Sequence, residues 1–171
     1  MSMTAKTNLA ELRSLIAPRK KNVLPCSAHA SGFPRGAVSE LSGPHGGGKT
    51  QLALKLIAEN PRLHVAWVES ELSIYPCALP QQGVALGRVL FAEAGEQALW
   101  SAHQMLRSGI FGILVLSPQR PLEQIDLRRL QLAAEQSNTS VVLLSEEPTL
   151  TGAWPIALQL EVNRSSIRRI K

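Results

Sequence analysis

The sequence has 171 residues, which corresponds to one domain at the usual size of about 100–200 residues. Hydrophobic residues make up 44% and charged residues 18%, a balance that supplies a packed core and excludes a mostly disordered chain. The formal net charge of +5 permits contact with nucleic acid, but the 3 Trp, 3 Phe and 1 Tyr offer few rings for stacking on bases.

Cysteine content and hydropathy narrow the class of protein further. The two cysteines, Cys26 and Cys77, are too few for a disulfide framework and predict free thiols in a reducing compartment. No apolar run approaches the roughly 18 residues that a membrane helix needs, and the opening residues contain no apolar signal core. We therefore expect a cytoplasmic protein. The four histidines are scattered without ligand spacing, so no metal–histidine site is predicted.

Residues 1–35 are predicted to form an arm ahead of a core domain at residues 36–171. The arm begins with an amphipathic helix over Thr7–Ala17, which Pro18 ends. Its apolar face consists of Leu9, Leu12 and Ile16. The stretch over residues 22–35 is rich in Pro, Ser, Gly and Ala and is predicted to be a linker.

From Gly36 onward the sequence alternates between strands and helices. The predicted strands are Ala37–Ser42, His64–Glu69, Arg88–Ala92, Phe111–Leu116, Ser140–Leu144, Ile156–Val162 and Ser165–Ile170. The predicted helices are Lys49–Glu59, the segment between Gly95 and Gly109, and Leu122–Gln136. This alternation predicts an α/β fold in which a largely parallel sheet is covered by helices on both faces, with the strand order left open.

One loop in this pattern carries recognisable chemistry. Residues 43–50 match GxxxxGK[ST], the phosphate-binding P-loop, and the name P-loop is used below for these residues. They are Gly43, Pro44, His45, Gly46, Gly47, Gly48, Lys49 and Thr50. The loop follows a predicted strand and begins a predicted helix, so its N–H groups converge where an anion is favoured. The pattern predicts binding of nucleotide phosphates, with Lys49 reaching the β and γ phosphates and Thr50 placing its hydroxyl on Mg²⁺.

The P-loop and its flanks resemble a known family. Residues 32–50, GFPRGAVSELSGPHGGGKT, are similar to the entry of the RecA recombinase core, and residues 65–76, VAWVESELSIYP, are similar to its second strand. The likeness covers about residues 32–162. Within the RecA-like group, the chain is most similar to the ImuA family in its size and in the parts of the RecA pattern that it lacks. ImuA is an accessory factor of bacterial SOS mutagenesis that acts with the inactive polymerase homologue ImuB and an error-prone DNA polymerase.

The resemblance implies roles for particular residues and also exposes departures from the family pattern. It implies ATP and Mg²⁺ at the P-loop, with Glu71 as the general base for hydrolysis and Glu69 as a nearby alternative. Three positions depart from the pattern. Ser117 replaces the Walker B Asp, Ala78 replaces the adenine-stacking Tyr, and Ser145-Glu146 replaces the Gln that senses the γ phosphate.

The loops that bind DNA in RecA are also altered. Only residues 118–121 and 147–154 are available in their place, and the second segment contains no Lys or Arg. The remaining candidates for contact with DNA phosphates are basic residues near the end of the sequence. The alternative interpretation is that these residues form a solvated chain end. They are Arg164, Arg168, Arg169 and Lys171. The same two interpretations apply to Arg19-Lys20-Lys21.

The resemblance favours an accessory protein of DNA-damage tolerance that acts through RecA and ImuB-type mutasome proteins, with weak or no ATP hydrolysis. One alternative is an active RecA/RadA-type DNA-dependent ATPase in recombinational repair. Another is a SulA-like cell-division inhibitor, against which the intact P-loop counts. The apolar face formed by Leu9, Leu12 and Ile16 is the candidate for partner docking, unless it packs on its own core.

Overall fold

A computed structural model describes residues 22–149 and 155–171, and a seven-stranded sheet forms its centre. The strands are β1 (Val23–Leu24), β2 (Phe33–Pro34), β3 (Ala37–Ser42), β4 (Val65–Glu69), β5 (Val89–Glu93), β6 (Ile113–Ser117), β7 (Ser140–Ser145), β8 (Ile156–Asn163) and β9 (Ser166–Arg169). The α-helices are α1 (Lys49–Glu59), α2 (Ala98–Ser108) and α3 (Gln124–Ser137). Short 3₁₀ turns lie between β4 and α2. The predicted helix Thr7–Ala17, with Leu9, Leu12 and Ile16, and the basic residues 19–21 lie outside the described residues.

The strand order across the large sheet is β5-β4-β6-β7-β3-β8-β9. Every neighbouring pair is parallel except β8 and β9, which are antiparallel. The predicted α/β class with a largely parallel sheet is therefore confirmed, and the predicted strands and helices of the core agree with the observed ones to within two residues. Because β3 lies between β7 and β8, the loop that follows it opens at the carboxyl ends of the parallel strands, with a neighbouring strand on either side.

Helices cover both faces of the sheet, as the pattern predicts. Alternation along the strands directs Trp67 to the face covered by α1, whereas Ala66 and Val68 face α2 and α3. Helix α1 contributes Leu52 and four further buried side chains to its face: Ala53, Leu54, Leu56 and Ile57. This apolar packing on both faces of β4 and β6 holds the strand ends near the site in fixed positions.

The segment over residues 22–35 is not a linker, and that prediction is wrong. β1 pairs antiparallel with β2, and Leu24, Cys26 and Phe33 are buried in the same core as α1. The amide of Asn60 donates hydrogen bonds to the carbonyl oxygens of Pro25 (3.0 Å) and Leu56 (2.8 Å), which ties the segment to the end of α1. Proline and glycine prevent long regular elements here, but they do not prevent burial of the apolar side chains.

Both cysteines are free thiols, as predicted, and their environments differ. Cys26 is buried, and burial raises the pKa of its thiol, whereas Cys77 is exposed. Across residues 22–149 and 155–171, none of the helices combines the length and the hydropathy that crossing a membrane requires.

Candidate functional site

The P-loop connects the central strand β3 to helix α1. Strand β3 ends at Ser42, and α1 begins at Lys49 after an N-cap at Gly48 whose φ is 104°. No acidic residue lies in the first turn of α1, so the positive end of the helix dipole is not offset by a carboxylate within that turn. The local structure therefore has the features of an anion-binding helix N-terminus at the carboxyl edge of a parallel sheet.

Two glycines of the P-loop are required by packing against β8. Gly43 has a φ of 145°, and a Cβ atom there would lie 2.2 Å from the carbonyl oxygen of Val162. A Cβ atom at Gly47 would lie 2.9 Å from the carbonyl oxygens of both Pro44 and Val162. Carbon and oxygen cannot approach so closely, so β8 restricts these positions to glycine before any ligand is considered.

The side chain of Lys49 lies across the P-loop. Its ammonium donates hydrogen bonds to the carbonyl oxygens of Gly43 (2.5 Å) and Ser145 (2.7 Å), which use two of its three N–H donors. Burial lowers the pKa of Lys49, and the negative charge of Glu146 acts in the opposite direction. The end of β7 is thus part of the site, and the amine is held in the loop where phosphate oxygens bind in this motif.

A cavity of about 480 Å³ adjoins the loop, a volume typical of sites for small molecules and cofactors. Its lining consists of residues 44–50 together with Gln51, Leu54, Ala78 and Gln82. Ala78 therefore lies at the site, but it offers no ring for a base, and Tyr75 is 70% exposed and outside the lining. The lining beside the P-loop therefore consists of small, aliphatic and polar side chains, without an aromatic ring.

The two carboxylates after β4 have different environments. Glu69 is buried, and its carboxylate accepts hydrogen bonds from the N–H groups of Ser73 (2.5 Å) and Ile74 (3.3 Å) and from the hydroxyl of Ser73 (3.2 Å). Its oxygens therefore stabilise the turn after β4, which counts against Glu69 as the alternative base. Glu71 is exposed in that turn, so it is the carboxylate left for the role that the resemblance implies.

Ser117 lies at the end of β6, directly beside Glu69 in the register of the sheet. The N–H group of Ser70 donates to the carbonyl oxygen of Ser117 at 3.1 Å, which holds the two strand ends together. The position that carries a metal-holding carboxylate in the family pattern therefore carries a neutral hydroxyl. Within the described ranges, no group of three or more His, Cys, Asp or Glu side chains could hold a metal ion on its own.

The end of β7 closes one side of the P-loop. The N–H group of Gly43 is shared between the carbonyl oxygens of Ser145 (3.2 Å) and Glu146 (3.0 Å). The Nε2 atom of His45 lies 2.6 Å from a carboxylate oxygen of Glu146. The structure thus brings Ser145 and Glu146 to the loop, as the resemblance implies, and pairs one of them with a loop side chain.

Glu40, in the strand that leads to the P-loop, is a buried carboxylate that the sequence analysis missed. It is fully buried and accepts hydrogen bonds from the hydroxyl of Ser145 (3.1 Å), the N–H group (3.1 Å) and hydroxyl (2.6 Å) of Thr149, and the amide of Gln159 (2.8 Å). It therefore joins β3, β7 and β8 with the segment that follows β7. The available signal was a charged residue inside the otherwise uncharged strand AVSELS.

The basic residues near the end of the sequence are divided rather than gathered into one patch. Arg164 donates from Nε to the carbonyl oxygen of Gly46 at 3.3 Å, which places it at the P-loop. Arg168 pairs with Glu161 on β8, with Nε 2.8 Å from a carboxylate oxygen. Arg169 is the next residue along β9 and donates to the carbonyl oxygen of Lys171 at 2.9 Å. Successive strand residues point to opposite faces, so Arg168 and Arg169 do not reinforce each other.

Comparison with known proteins identifies relatives of this site and fold. The sequence matches the RecA N-terminal domain over residues 18–145. It is 34% identical over 111 residues to protein RecA of Caldanaerobacter subterraneus subsp. tengcongensis, covering 63% of this chain and 32% of that protein. It is 33% identical over 140 residues to protein RecA of Gluconobacter oxydans, covering 67% of this chain and 41% of that protein.

A third relative is protein RecA of Paramagnetospirillum magneticum, which is 40% identical over 89 residues. That match covers 50% of this chain and 25% of that protein. The chain therefore spans about two fifths or less of the length of these relatives.

Proposed function

This chain belongs to the RecA family, and we propose that it is an accessory protein of the bacterial SOS response and translesion DNA synthesis, similar to ImuA. In this proposal it works in the cytoplasm through RecA and ImuB-type mutasome proteins. It binds ATP with Mg²⁺ weakly at the P-loop and hydrolyses it slowly or not at all. Contact with DNA is secondary, electrostatic and indifferent to sequence.

The observation that carries this proposal is the hydroxyl of Ser117 at the end of β6. A carboxylate at this position holds Mg²⁺ beside the phosphates, and a hydroxyl supplies no charge for that purpose. The neighbouring carboxylate of Glu69 does not replace it, because its oxygens accept hydrogen bonds from Ser73 and Ile74. Together with the missing ring at Ala78, this supports nucleotide binding at tens of micromolar or weaker, roughly −6 kcal/mol.

The rival proposal is an active RecA/RadA-type ATPase stimulated by DNA. Its support is the complete P-loop and the exposed carboxylate of Glu71. It requires a second carboxylate for the metal ion, which the end of β6 does not supply. A SulA-like cell-division inhibitor has less support, because the P-loop motif from Gly43 to Thr50 is intact.

Partner docking through the arm is tested by charging its predicted apolar face. We expect Leu12→Asp combined with Ile16→Asp to abolish capture of the full chain by immobilised RecA and by an ImuB-type protein. Burial of Leu9, Leu12 and Ile16 contributes several kcal/mol before association costs, and two carboxylates remove that contribution. Pull-down and thermal melting are measured on the same preparation, and we expect the melting temperature to change by less than about 2 °C.

A matched control places the same two charges on the opposite face of the predicted helix, as Ala10→Asp with Ser14→Asp. We expect this control to bind both partners like the unmodified chain. If Leu12→Asp with Ile16→Asp unfolds the protein, the helix belongs to the core and the docking proposal is wrong. If that variant stays folded and still binds, the docking surface lies elsewhere. If the unmodified chain captures neither partner, the accessory role is contradicted.

A further inference from the structure

The carboxylate of Glu146 lies against the P-loop. One of its oxygens is 2.6 Å from Nε2 of His45, and its backbone carbonyl accepts a hydrogen bond from Gly43 at 3.0 Å. The carbonyl of the preceding residue, Ser145, accepts a hydrogen bond from the ammonium of Lys49 at 2.7 Å. Glu146 is also near enough to Lys49 for its charge to raise the pKa of that ammonium.

This carboxylate contributes little to the stability of the fold. The side chain of Glu146 is 68% exposed and that of His45 is 91% exposed, and polar contacts between side chains this exposed contribute little to stability. The loop itself is shaped by the close approach of Gly43 and Gly47 to Val162, which does not involve Glu146. The fold therefore does not depend on this carboxylate, which lies where a ligand of the P-loop would meet its charge.

The charge of Glu146 affects nucleoside diphosphates and triphosphates differently. The N–H groups at the start of α1 and the ammonium of Lys49 attract phosphate in either ligand. The γ phosphate adds about one further negative charge to the magnesium complex and would lie at the P-loop, where the carboxylate of Glu146 already contacts His45. The carboxylate of Glu146 and the γ phosphate repel each other because both are negatively charged. The charge of Glu146 therefore disfavours the triphosphate more than the diphosphate.

We propose that Glu146 is a specificity-determining residue that makes the P-loop bind nucleoside diphosphate in preference to nucleoside triphosphate. The inference rests on the proposed function, in which the P-loop binds nucleotide, and it names the class of ligand. A partner protein would then bind the diphosphate form of this chain, which is the form that hydrolysis would produce, although this chain hydrolyses no nucleotide.

Calorimetric titration of the full chain with Mg–ADP and Mg–ATP tests the proposal. We expect ADP to bind about tenfold more tightly than ATP, a factor that corresponds to about one unfavourable charge contact. Glu146→Gln keeps the size of the side chain and removes its charge, so we expect it to tighten ATP about tenfold and ADP much less. The control is Glu147→Gln, which removes an equal charge one residue further on and should leave the ratio of the two affinities unchanged.

Each result has a definite consequence. If the unmodified chain binds ATP as tightly as ADP, or if Glu146→Gln leaves their ratio unchanged, this inference is overturned while nucleotide binding stands. If Glu146→Gln weakens ATP only when Mg²⁺ is present, the carboxylate is a metal ligand and the inference is wrong. If neither nucleotide binds more tightly to the unmodified chain than to Lys49→Ala, the proposed nucleotide site fails, and the inference fails with it.

Discussion

Replacing Gly43 with alanine is expected to lower the free energy of unfolding by about 3 kcal/mol or more and to abolish nucleotide binding. The new Cβ atom would lie 2.2 Å from the carbonyl oxygen of Val162, and the φ of 145° is rarely adopted by residues with a side chain. Either β8 moves away from β3 or the P-loop changes shape. Both responses disturb the N–H group of Gly43 and the carbonyl oxygen that Lys49 contacts.

Urea unfolding followed by circular dichroism measures this effect, with Gly87→Ala as the matched control. Within residues 22–149 and 155–171, a Cβ placed at Gly87 meets no atom within 4 Å apart from those of Gly87 and its two chain neighbours, so we expect that variant to remain within about 0.5 kcal/mol of the unmodified chain. Equal unfolding midpoints for Gly43→Ala and Gly87→Ala would show that β8 does not restrict the P-loop.

Replacing Glu40 with leucine is expected to lower the free energy of unfolding by about 3 kcal/mol. The change leaves the N–H group of Thr149 and one N–H of the Gln159 amide without the carboxylate oxygens to which they donate, although that amide keeps its bond to the carbonyl oxygen of Thr149. It also releases the hydroxyl of Ser145, the residue whose carbonyl oxygen contacts Lys49. We therefore expect weaker nucleotide binding together with lower stability.

Glu40→Gln separates loss of the negative charge from loss of both acceptor oxygens. It retains one carbonyl oxygen, so one of the two acceptors for the surrounding N–H and O–H groups stays in place. We expect its unfolding midpoint to lie between those of the unmodified chain and Glu40→Leu. If Glu40→Leu is as stable as the unmodified chain, the buried carboxylate does not hold the segment at Thr149 against β3.

The regular elements of this fold follow from local sequence patterns. Continuous apolar runs such as the one at β6 identify buried parallel strands, and α1 has the predicted bounds because Gly48 and Pro61 mark its two ends. The P-loop was predictable for the same reason, since its glycines and Lys49 are contiguous in the sequence. The strand order was not predictable, because it depends on contacts between strands that are far apart in the chain.

The features that the sequence did not reveal are long-range polar contacts. Glu40 meets Thr149 and Gln159 across separations of 109 and 119 residues, and no local periodicity marks such a pair. Arg164 was predicted at a basic chain end but lies at the P-loop, 118 residues from Gly46 in sequence. The composition of residues 22–35 predicts a linker because it indicates short elements and carries no information about burial, whereas the folded chain packs this segment into its core.

The most direct test of the proposed accessory function is steady-state hydrolysis of Mg–ATP by the full chain, with and without single-stranded DNA. We expect a rate near background that DNA does not increase and that Lys49→Ala does not lower, because Ser117 supplies no charge to hold the metal ion. DNA-stimulated turnover that Lys49→Ala abolishes would contradict this proposal and identify the chain as an active RecA-type ATPase.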